Sequence, residues 1–214
     1  MKYKLLIFSV FVSFMAAGQM KQSTFVFGPK VGVQASKIQI VDNPGETSSK
    51  LIMQYQAGIF TRLNVGKFSL QPEALYQIKG GNLTDPTEKH TYRYFSTPIL
   101  LGVSPLKGLY LEAGPEFNWS LNQGWKKDAV EQYGPDAATT NAFIAGARID
   151  MLDAFSMFSL NLRYVHGLSN TNTRVANEGT PLDFRNRTFQ VSVTYNFSEY
   201  YKWWKKYGLK TPKK

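Results

Sequence analysis

The stretch TFQVSVTYNF, residues 188–197, alternates without a break. Phe189, Val191, Val193, Tyr195 and Phe197 fall on one parity, Gln190, Ser192, Thr194 and Asn196 on the other. Successive side chains of an extended chain point to opposite faces, so this segment reads as a strand with one apolar and one polar side. The same period recurs upstream. Residues 157–168 set Phe158, Leu160, Leu162 and Tyr164 against Ser159, Asn161 and Arg163. Residues 108–121 set Leu109, Leu111, Ala113, Phe117 and Trp119 against Tyr110, Glu112, Gly114, Glu116 and Asn118. Segments 24–38, 51–65, 68–79, 91–104 and 141–152 bring the expected number of strands to eight.

The connections have a rhythm of their own. The second, fourth and sixth are tight, at Gly66–Lys67, Pro105–Lys107 and Asp153–Ser156; the first, third, fifth and seventh are long, at Gln39–Lys50, Gly80–His90, Asn122–Thr140 and Ser169–Asn186. Short turns at one end and longer loops at the other are the habit of barrels that cross an outer membrane. The fold expected is all-β, an eight-stranded antiparallel up-and-down transmembrane β-barrel, with both termini on the periplasmic side because the strand number is even.

Parity does not say which face meets lipid, since a soluble ligand-binding barrel would carry its apolar face inside. Residue type decides for the membrane. The polar face holds Lys30, Arg62, Lys79, Arg148 and Arg163 against Glu73, Glu112, Glu116 and Asp150, interleaved with Gly28, Gly32, Gly58, Gly114 and Gly146. A narrow eight-stranded lumen has room only for interlocking side chains, and opposed charges spaced by glycines suit it. The apolar face carries Tyr55, Tyr76, Trp119, Tyr164, Tyr195 and Phe197, as an interfacial girdle requires.

Residues 1–18 place Lys2 and Lys4 before an apolar run, Leu5 to Met15, and the small trio Ala16, Ala17 and Gly18, the pattern of a secretory signal peptide. The barrel is then expected over 19–197, followed by a basic aromatic tail over 198–214. The net charge of +10 resolves accordingly. Removing Lys2 and Lys4 leaves +8, and the tail, six lysines against Glu199, holds +5 of that, so the barrel carries +3. An exported chain with its excess charge in a tail is no candidate for nucleic acid. With no cysteine, disulfides, thiolate metal sites and cysteine nucleophiles are excluded together.

Six stretches, taken in order, carry a family likeness: FGPKVGVQASKI (27–38), YQAGIFTRLNVGKFSLQPEALYQIKGG (55–81), STPILLGV (96–103), LYLEAGPEFNWSL (109–121), LNLRYVHGLSN (160–170) and TFQVSVTYNF (188–197). In these the chain resembles the PorT-like outer-membrane β-barrel family of Bacteroidetes. The resemblance implies an eight-stranded outer-membrane barrel, and some members of that family serve type IX secretion and gliding. The chain departs from the usual pattern by continuing for seventeen residues past Phe197, the aromatic that closes the last strand.

The residues name no reaction and no cofactor. His166 and Ser169 suggest a lipid hydrolase at the rim, but their spacing does not give them one face of a continuous strand, and a histidine at headgroup level is the plainer reading. Asp85, Glu88 and His90 fit no metal motif and read as a solvated loop. Arg62, Arg93, Arg148 and Arg163 with Glu73, Glu112 and Glu116 would line an ion path in a wide barrel; in one this small they are expected to plug it. Arg93 is unsettled in parity, because the fourth segment alternates poorly.

In the tail, Tyr200, Tyr201, Trp203, Trp204, Lys205, Lys206 and Tyr207 suit a membrane surface or an acidic periplasmic partner, or else a solubilising end. The expectation is a non-enzymatic integral outer-membrane barrel, structural or accessory to a secretion or surface assembly, with outer-membrane lipid and a protein of such a secretion or surface complex as the partners to look for. The alternatives are a soluble periplasmic ligand-binding barrel and the rim-site hydrolase.

Overall fold

The computed structural model describes residues 24–41, 49–84, 87–124, 126–127, 132–151, 155–171, 183–198 and 201. The expected signal peptide lies outside them. Eight long strands follow in order: β1 (Phe25–Val41), β2 (Ile52–Val65), β3 (Phe68–Thr84), β4 (Thr87–Leu106), β5 (Leu109–Ser120), β6 (Thr139–Asp150), β7 (Phe158–Gly167) and β8 (Asp183–Tyr195). Each pairs antiparallel with the next. β8 returns to β1, from Lys30 opposite Thr194 to Val41 opposite Asp183, and the sheet closes. Closure leaves no open strand edge in the bilayer, where an unpaired backbone group has no water to bond.

Apolar residues are outside and polar ones inside, which removes the soluble inverted barrel. Val31, Met53, Ile59, Leu101 and Phe189 are 58, 65, 61, 67 and 62 % exposed, while Gln71, Gln77, Ser96, Asn161, Thr188 and Thr194 are wholly buried. The twelve residues of β5, at about 3.3 Å each and tilted by about 40°, climb roughly 28 Å, enough for an outward apolar band of about 25 Å.

Aromatic pairs mark both rims of that band. Phe27 packs on Phe197 at 5.5 Å and Phe158 on Tyr195 at 5.4 Å near the short turns. Tyr55 with Tyr76 at 6.3 Å, Phe95 with Trp119 at 6.0 Å and Tyr164 with Phe189 at 4.8 Å lie toward the loops. The six girdle residues expected from sequence therefore divide into two belts, as two membrane interfaces demand.

The third connection corrects the expected rhythm. β3 and β4 run on as a ribbon to Thr84 opposite Thr87, so most of Gly80–His90 is strand and not loop. Two glycines there signal close approach instead of a turn. A Cβ on Gly81 would lie 2.5 Å from Ser49 Oγ and 2.9 Å from the Ile38 nitrogen, and one on Gly80, at φ +135°, would lie 2.0 Å from the His90 carbonyl oxygen. Ser49–Lys50 pairs against the ribbon's end, and Gln132–Tyr133, paired with Lys126–Lys127, adds parallel to Lys89–His90. The fifth connection thus holds two short strands, and β8 begins at Asp183, inside the expected seventh loop.

β4 alternates poorly to the eye because both its faces are apolar. Tyr92, Tyr94 and Leu100 point in; Phe95, Ile99, Leu101 and Val103 point out. Arg93 is exposed, on the outer parity, and leaves the expected interior set.

Candidate functional site

Closure aims the inward parity of neighbouring strands at one axis, so residues far apart in sequence meet in the half of the lumen nearest the short turns. Arg163 of β7 forks onto Glu73 of β3, Nη1 to Oε2 at 2.9 Å and Nη2 to Oε1 at 2.8 Å, and Nη2 also donates to Glu112 Oε2 of β5 at 3.1 Å. Lys30 of β1 donates to Glu73 Oε2 at 2.8 Å. Arg148 of β6 donates through Nη1 to Glu112 and through Nε to Asp150 Oδ1 at 2.9 Å. Arg62 of β2 lies 3.7 Å from Asp150 and donates through Nε to Gln71 Oε1 at 2.6 Å; Gln71 in turn donates to Glu73 Oε1 at 2.5 Å.

Four cations here face three carboxylates, and the excess is spread over aromatic faces. The Arg148 guanidinium stands 3.9 Å from the Tyr110 ring centroid, and that of Arg62 is 5.1 Å from Phe60. Taking ions out of water costs several kcal/mol each, so such a cluster persists only while every member keeps its partners. The network ties β1, β2, β3, β5, β6 and β7 together through the axis, in addition to the ladders around the wall.

Glu116 is not part of it. It lies higher, toward the loops, where Oε2 accepts from Lys79 Nζ at 2.9 Å and Oε1 from Gln77 Nε2 at 2.6 Å. Asn118 Oδ1 accepts from Lys79 at 3.2 Å and from Ser96 Oγ at 2.6 Å. Gln190 donates to both Gln34 and Gln77 at 2.9 Å and so ties β8 and β1 to the upper set. Of the seven interior residues singled out in the sequence, six share the lower network and the seventh, Glu116, anchors the upper one. Lys30 and Lys79 complete the two sets.

The space beside Lys79, Tyr94, Asn118 and Asn186 is about 10 Å³, close to the room one water needs. Above it, Ile38, Leu83, Tyr92, Tyr94 and Phe184 form an apolar cluster across the loop end of the lumen. A second one joins Leu100, Ala142, Ile144 and Val165. Sequence reasoning missed both, having given the interior to polar residues. The available signal was parity: Tyr92 and Tyr94 are in phase with Ser96, and Phe184 with Gln190.

His90 belongs to this upper layer and not to a solvated loop. It is fully buried, its Nδ1 is 3.0 Å from the Tyr92 hydroxyl, and its ring stacks on Tyr133 at 5.5 Å and meets Phe184 edge-on. Asp85 and the Glu88 side chain lie outside the described residues, among which no three His, Cys, Asp or Glu gather as a metal site does.

His166 is half-exposed on the outer face, between Phe143 and Arg187 on the flanking strands, with its ring 6.3 Å from Tyr164. The Ser169 hydroxyl accepts the Asn141 N–H at 2.9 Å. Of the tail, Tyr201 is exposed, and Tyr200, Trp203, Trp204, Lys205, Lys206 and Tyr207 lie outside the described residues.

Comparison with known proteins agrees with the fold. No curated protein matches the chain. Among solved structures it is similar to Ail, the attachment invasion locus protein of Yersinia pestis, crystallised with the heparin analogue sucrose octasulfate, at 12 % identity and a TM-score of 0.47, covering 82 % of this chain and 100 % of that one. It is also similar to the outer membrane protein AlkL in lipid bilayers, at 10 % identity and a TM-score of 0.42, covering 85 % and 94 %. Residues 17–172 match the family described as outer membrane protein beta-barrel domain. With a closed eight-stranded barrel, an apolar outer band and a charged lumen, the chain belongs to that family and is an integral protein of the outer membrane.

Proposed function

We propose that the protein is a non-enzymatic, non-conducting outer-membrane barrel, a rigid platform that holds its loops outside the cell and its tail in the periplasm as an accessory to a surface or secretion assembly. The observation that carries this reading is the lumen. Two salt-bridged layers and an aromatic layer occupy it in sequence, and the polar space beside Lys79 and Asn118 suits about one water. A conducting barrel needs a continuous wet path, and an enzyme needs a nucleophile beside its base. The sequence likeness to the PorT-like family supports a secretion or gliding role within this class, and the lysines and aromatics of 198–214 are the natural handle for a periplasmic partner.

Purified protein in planar bilayers is expected to give no steady channel currents, and lipid turnover is expected to be nil, with His166→Ala no different from the unaltered chain. Stepwise currents would overturn the platform reading, as would turnover that depends on His166. Cysteines placed singly at Asn172 and Lys107 are expected to react with an impermeant maleimide on intact cells at Asn172 alone. A protein that co-purifies from native membranes and is lost on deleting 198–214 would identify the assembly.

A further inference from the structure

The outer face above the apolar band carries a row of two cations and a histidine that the barrel's architecture does not use. The register sets Lys37 of β1 opposite Arg187 of β8, and Arg187 opposite His166 of β7. Lys37 is exposed, and Arg187 and His166 are half-exposed on the same outward parity. Strands stand about 4.8 Å apart, so the three side chains span roughly 10 Å of surface. Directly below, two residues along each strand, are Ala35, Phe189 and Tyr164, with Phe189 packed on Tyr164 at the edge of the lipid band.

Arg187 is pinned in this row by neutral groups. Its Nε donates to Gln39 Oε1 at 2.8 Å, and its Nη1 to the carbonyls of Gly167 at 2.6 Å and Asn186 at 3.3 Å. Among the described residues, Arg185, one row further out, is ion-paired with Asp183, whereas no carboxylate pairs with Arg187 or Lys37. A guanidinium fixed in place at the lipid boundary, flanked by an ammonium and an imidazole, is a preorganised receptor for a tetrahedral oxyanion. Its height, at the top of the greasy band, is where the headgroup phosphates of the adjoining leaflet lie.

We propose that Lys37, Arg187 and His166 bind a phosphate of an anionic glycolipid in the outer leaflet. This rests on the loop end facing outward, as proposed above. Acyl chains would run down the Phe189 and Tyr164 surface while the phosphate is held by the row, so one lipid would be retained where others exchange.

The test uses full-length protein in nanodiscs of neutral phosphatidylcholine doped with bisphosphorylated lipid A, with bound lipid counted by native mass spectrometry. Retention of lipid A is expected, falling about thirtyfold in the Lys37→Gln/Arg187→Gln double variant. It should fall likewise for the unaltered chain when the lipid A is dephosphorylated. Arg93→Gln, elsewhere on the same face, should keep it, and Arg187→Lys should keep part, since charge survives while the bonds that pin the guanidinium to Gln39 and Gly167 are lost. Heat-modifiable migration on gels confirms that each variant is folded. Undiminished retention in the double variant, or for dephosphorylated lipid A, would overturn the site. Equal retention of phosphatidylglycerol would overturn the glycolipid assignment. Discs present both ends of the barrel alike, so a negative result rejects the site without touching the orientation, which the maleimide experiment reads separately.

Discussion

Replacing Glu73 by alanine is expected to lower the unfolding free energy by about 3–5 kcal/mol, the cost of leaving buried charge without its partner. Glu73 accepts from Lys30, from both terminal nitrogens of Arg163 and from Gln71, so its loss orphans a lysine outright and strips the bidentate half of an arginine. Arg163 keeps Glu112, but among the described residues Lys30 has no second carboxylate to pair with. Urea titrations in detergent micelles check this, with the slope unchanged and the midpoint lowered. Combining Glu73→Ala with Lys30→Met should recover part of the loss, because an apolar side chain of similar length does not need to be paired. If Glu73→Ala alone leaves the midpoint in place, the lumen charges are solvated and the barrel is not plugged.

The second large effect belongs to the opposite face. Val193 lies outside, between Val31 and Leu160 on the neighbouring strands, and Val193→Arg is expected to cost about 2 to 4 kcal/mol if it sits near the bilayer midplane. Ser192→Arg should fail for a different reason. The Ser192 Cβ lies 2.5 Å from where a Cβ on Gly32 would stand, so the inner wall there has no room for a long side chain. Asn172→Arg, in the seventh connection, should change stability little. Unfolding titrations in bilayers of increasing thickness separate the two causes. The penalty at Val193 grows as the membrane thickens, and the crowding at Ser192 does not respond. A milder effect at Val193 than at Asn172 contradicts the assigned parity.

These two residues also show what was legible without coordinates. A period of two carries face assignment directly, so Val193 out and Ser192 in follow from alternation once the size and charge of the inward set are weighed. The pairing of Arg163 with Glu73, ninety residues apart, was visible only as a balance of signs. Which carboxylate each cation meets depends on strand register, and register is written in turn lengths and bulges that alternation does not resolve. Glu116 and Lys79 therefore formed one set with the others in sequence and a separate layer in space.

The inward apolar residues were hidden for a related reason. Where Tyr92, Tyr94 and Leu100 face in and Phe95, Ile99 and Leu101 face out, both parities are apolar and period two vanishes. Gly80 and Gly81 misled in another way, because glycine signals a turn and a close strand approach alike. The exterior row of two cations and a histidine was illegible altogether. Lys37, His166 and Arg187 come from three strands, and only β1 meeting β8 across the closure makes them neighbours.

The central claim is the direction of the two faces, and a lipid-soluble carbene probe activated in native membranes reads it most directly. Adducts mapped by mass spectrometry are predicted on the faces bearing Val31, Ile59, Leu101, Phe189 and Val193, with Arg62, Glu73, Arg148 and Arg163 untouched. Labelling of the arginine and glutamate set with the valine and phenylalanine set spared would contradict it.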